Sequence, residues 1–234
     1  MTGLFFALLG LYVVYALFVH RLGNPDRPNP VARFATIALH TPLFLVACYL
    51  AYQRGVFSRE LVSPLYICAG LFAGHLIFGL SLFATHRNLP DTLYHMCKPG
   101  PVWEFLVENP RIIMRFAGVS VAEEIVYRAA AQPLLIDATG SAAAGIAGVA
   151  VAFAVVHKHF FRNAPGQSAE FAAFAIALGV LYYLTGSLIL VIVIHAVRNI
   201  EIAYLESCVE DDEAVKDKMT PQVAIRNIEA TRGL

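Results

Sequence analysis

Three groups of residues in this chain have types and spacings suited to chemistry inside otherwise apolar sequence: Glu123-Glu124 with Arg128, Phe153 with His157, and His195 with Asn199. Ionisable side chains at membrane depth cost about 2.5–3.5 kcal/mol on insertion scales, so they usually face a bundle interior and mark function. On a regular helix Glu124 and Arg128 are i and i+4, with the acid N-terminal to the base, the favourable order for neutralising each other. Glu123 lies about 100° further round and is left without that partner. Phe153 and His157 share a face, the ring offering a wall beside the imidazole, and His195 and Asn199 point at one spot. A carboxylate, two imidazoles, an amide and a buried ion pair suit hydrolysis of an amide by activated water. Glu123 would take the proton, His157 would hold the water, and His195 with Asn199 would donate to the oxyanion. The same two histidines and Glu123 could instead ligate zinc, with Asn199 beside the metal.

The elements that must position these residues are membrane helices. Of 234 residues 58% are hydrophobic and 15% charged, with a mean hydropathy of +0.64, against about one-quarter charged in soluble domains. Zero formal net charge gives no argument for a nucleic-acid partner. Apolar runs near the roughly 20 residues that cross a bilayer recur at 3–19, 34–52, 61–85, 111–136, 142–161, 169–184 and 187–205. The expected fold class is therefore all-α, a polytopic bundle of about seven transmembrane helices. Within it, 1–110 holds N-terminal helices and an interfacial loop, 111–206 the residues with chemistry, and 207–234 a solvated, partly disordered cytoplasmic tail. The stretch 88–110, with Pro90, Pro99, Pro101 and Pro110, is too broken to span. No basic residue precedes the first apolar run and no small-residue cleavage site follows it, so it reads as a retained helix. Cys48, Cys68, Cys97 and Cys208 are scattered and read as small hydrophobes rather than a disulfide or zinc framework.

Orientation follows from basic residues in the loops. One side carries Arg21, Arg27, Arg33, Arg87, Lys98, Arg111, Lys158, Arg162, Lys216, Lys218, Arg226 and Arg232; the other carries Arg54 and Arg59. That asymmetry predicts the N-terminus outside and the C-terminus in the cytoplasm.

The order Glu-Glu-x-x-x-Arg, Phe-x-x-x-His, His-x-x-x-Asn resembles the CPBP intramembrane proteases, the CAAX proteases and bacteriocin-processing enzymes also called the Abi family. Tyr183 and Thr185-Gly186-Ser187, leading into His195-Ala196, are similar to the lead-in of that family's last motif. The resemblance covers roughly 111–206. It implies a helical membrane core with a site open to the cytosol, and a membrane-associated or lipidated polypeptide as substrate. It also implies catalytic roles for Glu123, His157, His195 and Asn199, supported by Glu124 and Arg128. Some members are described as metalloproteases, whereas the CAAX-type members look glutamate-dependent, so no cofactor is expected here. His159 departs from the pattern, because i and i+2 lie about 200° apart on a helix and His157 and His159 would not both reach the site.

Plainer readings cover the remaining polar residues. His40 and His75 are more simply bonds to a neighbouring helix than haem ligands. Gly118-Val119-Ser120 and the glycines Gly145 and Gly148 read as helix packing, and Arg198 as a residue that snorkels. The alternatives to a protease are a proton- or ion-coupled transporter and a catalytically silent scaffold or immunity protein. A transporter predicts inverted repeats that this chain does not show.

Overall fold

The computed structural model describes residues 1–22, 30–59 and 63–219. The Pro-rich turn with Asn24 and Arg27, and the end of the tail with Arg226 and Arg232, lie outside the described residues. All regular structure among the described residues is helical. Helices α1 (Thr2–Leu22), α2 (Pro30–Gln53), the one-turn α3 (Val56–Arg59) and α4 (Pro64–His86) make up the first part. Two short helices follow, α5 (Leu89–Cys97) and α6 (Gly100–Glu108), each opened by a proline in its first turn. Neither is long enough to span, as the proline spacing requires.

A continuous helical run then carries the charges. It comprises α7 (Pro110–Glu124), a π-helical segment (Ile125–Ala131) and α8 (Gln132–Thr139). After a left-handed turn at Gly140 comes α9 (Ala142–Val155), a 3-10 turn at Lys158–Phe161, α10 (Pro165–Thr185) and α11 (Leu188–Met219). Among the described residues, five helices are long and apolar enough to cross a membrane: Thr2–Val19, Phe34–Gln53, Pro64–Thr85, Pro165–Thr185 and Leu188–Cys208.

Three expectations change. The fifth span does not run to residue 161, because α9 ends at Val155 after 14 residues, about 21 Å against a 30 Å hydrocarbon core. The fourth is not a regular α-helix, since seven of its residues are π-helical. The seventh does not end as a helix at residue 205, because no glycine or proline interrupts α11 before Met219.

Small residues set the closest approaches. A Cβ on Gly70 would stand 2.8 Å from Cβ of Val193, and one on Gly74 would stand 2.8 Å from Cβ of Val197 and 3.1 Å from the Ile194 carbonyl oxygen. The backbones of α4 and α11 therefore touch along one turn, which anchors the helix bearing His195. Gly145 and Gly148 do the same for α9, leaving room for Ile136 and Leu135 of α8, as helix packing requires. Gly74→Leu should destabilise the protein by about 1–3 kcal/mol through overpacking. Melting in detergent checks this against Gly10→Leu, whose site is open to 4 Å and which should melt like the wild type.

Candidate active site

The π-helical segment is the local device that builds the site. The Gln132 amide reaches back five residues to the Tyr127 carbonyl, widening the turn and rotating the side chains that follow. Arg128 and Gln132 then point at the same neighbour, with Arg128 Nη2 donating to the Ala175 carbonyl at 3.0 Å and Gln132 Nε2 to the Gly179 carbonyl at 2.8 Å. These two bonds, one turn apart on both partners, lock α10 to the run that carries the glutamates.

Glu124 is fully buried and has two partners. Its Oε2 stands 3.3 Å from Nε of the equally buried Arg128, the ion pair expected from the spacing. Its Oε1 lies 2.7 Å from Nδ1 of His195, a contact that helical spacing could not show because it crosses to α11. A carboxylate can only accept here, so Nδ1 of His195 carries the hydrogen and the ring is held with Nε2 turned the other way.

Nε2 of His195 faces Glu123, 3.6 Å from Oε2, and Nε2 of His157 stands 3.5 Å from Oε1 of the same carboxylate. Glu123 is not left alone, then: it lies between two imidazoles with its side chain 19% exposed. His157 reaches it from outside any α-helix. It has an extended backbone (φ −93°, ψ 122°) just beyond α9 and caps the 3-10 turn. Its Nδ1 donates to the Phe153 carbonyl at 2.6 Å, leaving the Nε2 lone pair toward Glu123. The Phe153 ring does wall the imidazole, at 4.6 Å, and also contacts Tyr127, Phe171, His195 and Arg128.

Asn199 follows His195 by one turn of α11 and is half-buried. Among the described residues its side chain has no hydrogen-bond partner, so the amide is unengaged. The 3-10 turn overturns the expectation for His159. Its ring lies 5.3 Å from that of His157 and 4.4 Å from Phe171, because residues 158–161 do not continue the α-helix that would have turned it away. Burial above all pushes the His159 imidazole down to about 4, so it stays uncharged at neutral pH.

Among the described residues no group of three His, Cys, Asp or Glu is gathered so as to hold a metal ion. The two oxygens of Glu123 stand 3.5 Å and 3.6 Å from the Nε2 atoms of His157 and His195. The four cysteines are all free.

Two features escape the spacing of residues along the chain. First, α11 carries a polar stripe, His195, Arg198 and Glu201, all buried. Arg198 does not snorkel: its Nη2 is bidentate on Glu170 of α10, at 3.0 and 2.8 Å, and Ser81 of α4 donates to the same carboxylate. Glu201 accepts from His75 Nδ1 at 2.5 Å, while His75 Nε2 donates to the Met96 carbonyl at 3.1 Å, so His75 does bond its neighbours. The acids Glu170 and Glu201, standing in apolar runs, are the signals that point to this stripe. Second, the N-terminal helices reach the site. The rings of Tyr12 and His40 lie 5.4 Å apart, on helices α1 and α2 that pack against α9 and the π-helical segment respectively. No sequence signal links them to it.

No curated protein and no solved structure matches the chain. Residues 106–200 match a family model, type II CAAX prenyl endopeptidase Rce1-like. The matched segment begins just before α7 and ends one residue beyond Asn199, so it contains Glu123, Glu124, Arg128, His157, His195 and Asn199 but not Glu201. That segment is similar to the Rce1-like type II CAAX prenyl endopeptidases, and the chain is a multi-pass integral membrane protein.

Proposed function

We propose that the protein is an intramembrane endopeptidase that cleaves a peptide bond near the C-terminus of a prenylated or otherwise membrane-anchored polypeptide. The observation that carries this reading is Glu123 placed between the Nε2 atoms of His157 and His195. A water set against Glu123 and His157 gives up its proton to the carboxylate while the His157 lone pair holds it in line for attack. The attack forms the C–O bond and moves the carbonyl electrons onto oxygen, where the Asn199 amide and Nε2–H of a His195 protonated on both nitrogens, its Nδ1–H held by Glu124, donate to the oxyanion. Collapse breaks the C–N bond, and Glu123 returns the proton to the leaving amine. Glu124 and Arg128 hold His195 in orientation and do not touch the substrate.

The test uses the full chain in lipid vesicles with a farnesylated peptide ending in a CAAX sequence. The expected result is release of the C-terminal tripeptide, no cleavage of the unprenylated peptide, and activity that survives exhaustive chelation. One zinc per chain, lost with activity on chelation and restored with it, would replace the glutamate mechanism with a metal one. Failure to cleave either peptide would remove the CAAX-type substrate.

In the same proposal the site opens to the cytosol and the turn at Gly140 lies outside. A cysteine placed at Gly140 in a chain otherwise free of cysteine should react with an impermeant maleimide only from the outside of intact cells. Labelling only from the cytoplasm would invert the topology.

A further inference from the structure

At the end of the bundle opposite His157, α2, α8 and α10 each finish in a turn containing a left-handed glycine, Gly55 (φ +66°), Gly140 (φ +67°) and Gly186 (φ +66°). These ends enclose a cavity of about 210 Å³ lined by Arg54, Gln132, Tyr182 and Tyr183 among others, with Val56 and Ile136 as apolar wall. Arg54 Nη2 stands 2.5 Å from Oδ2 of Asp137, and the two side chains are 34% and 63% exposed. Arg54 lines the cavity, and Asp137, outside the lining, flanks it through this ion pair, so a cation and an anion stand side by side there. Gln132 is 1% exposed, and its Oε1 has no hydrogen-bond partner among the described residues.

The position of the cavity restricts what can fill it. The long apolar helices α2 and α10 end here, and Tyr183 and Leu184 are 53% and 72% exposed beside it, as residues at the boundary of hydrocarbon and headgroups are. An occupant arriving from the bilayer brings an apolar body to Val56 and Ile136, an anion to Arg54 and a donating cation to Asp137. A glycerophospholipid carrying both a phosphodiester and a primary ammonium meets all three demands.

We propose that this cavity binds the headgroup of a phosphatidylethanolamine-type lipid, its phosphate on Arg54 and its ammonium on Asp137. The bound headgroup sits one turn beyond Arg128, against the residue that ties α8 to Gly179 of α10. It braces the helix pair that carries the glutamates without entering their site.

The test is native mass spectrometry and melting of the full chain in detergent micelles supplemented with dioleoyl phosphatidylethanolamine, phosphatidylcholine, phosphatidylglycerol or inorganic phosphate. The ethanolamine lipid should bind about tenfold more tightly than the choline lipid, whose quaternary ammonium cannot donate a hydrogen bond. Asp137→Asn should bring the two lipids level, and Arg54→Gln should abolish binding of both. Val56→Trp, which keeps the ion pair and fills the cavity, should also abolish it, so a folding failure of Arg54→Gln leaves the test intact. Equal binding of the ethanolamine lipid with the choline or glycerol lipid overturns the proposal. So does binding unchanged by Arg54→Gln or Val56→Trp, and so does stabilisation by inorganic phosphate equal to that by the lipid, which would make this a free-anion site.

Discussion

Glu123→Gln should yield a protein that inserts, folds and melts like the wild type and turns over substrate about 10⁴-fold more slowly. The amide has the shape of the carboxylate but cannot take a proton from water, and removal of a positioned general base typically costs 10²–10⁴-fold. The upper end applies because the adjacent carboxylate is not free to substitute: Glu124 is enclosed by Arg128 and His195. Stability should hardly change, because the contacts Glu123 makes with the two imidazoles are long, 3.5 and 3.6 Å, and its side chain keeps some exposure. Initial rates on the prenylated peptide, with detergent melting of the same preparation, decide the matter. Retained activity with a large loss of melting temperature would show that Glu123 is structural and that the base lies elsewhere.

Glu124→Ala should do the opposite, losing stability first and activity as a consequence. Deleting one partner of a buried ion pair costs about 3–5 kcal/mol because the remaining charge stays desolvated. Arg128 would keep the Ala175 carbonyl and the face of Phe153, neither of which carries a negative charge. For a chain of this size that cost lowers the melting temperature by on the order of 10 °C. The double variant Glu124→Leu with Arg128→Met removes both charges and should recover much of the stability. It should not recover activity, since His195 Nδ1 would still lack its acceptor. If the double variant were as active as the wild type, the Glu124–His195 contact would have no part in orienting the ring.

The Glu124–Arg128 ion pair is legible in the sequence because both partners lie on one helical run, four residues apart, and helical geometry alone brings such residues together. Phe153 does lie beside His157 as the spacing suggests, but by another route: α9 ends at Val155 and the extended His157 turns its Nδ1 back onto the Phe153 carbonyl. His159 shows the same dependence in reverse. A helix continued through Val156 and His157 turns His159 away, and two residues of changed backbone are enough to bring the second imidazole next to the first.

The apolar helices, their order along the chain and the residue types available for chemistry follow from composition and from spacing within single segments. Bilayer length, the breaks at prolines and glycines, and the expense of charge in hydrocarbon act locally and leave a local record. Which nitrogen of His195 faces Glu123 leaves no such record, because it depends on Glu124, 71 residues away in sequence. The same holds for the meetings of Arg198 with Glu170, Glu201 with His75, and Tyr12 with His40. Each of those pairs joins different helices, and their meeting is set by the close approach of glycine-bearing faces and by the π-helical turn, whose rotation of the chain has no signature in residue spacing.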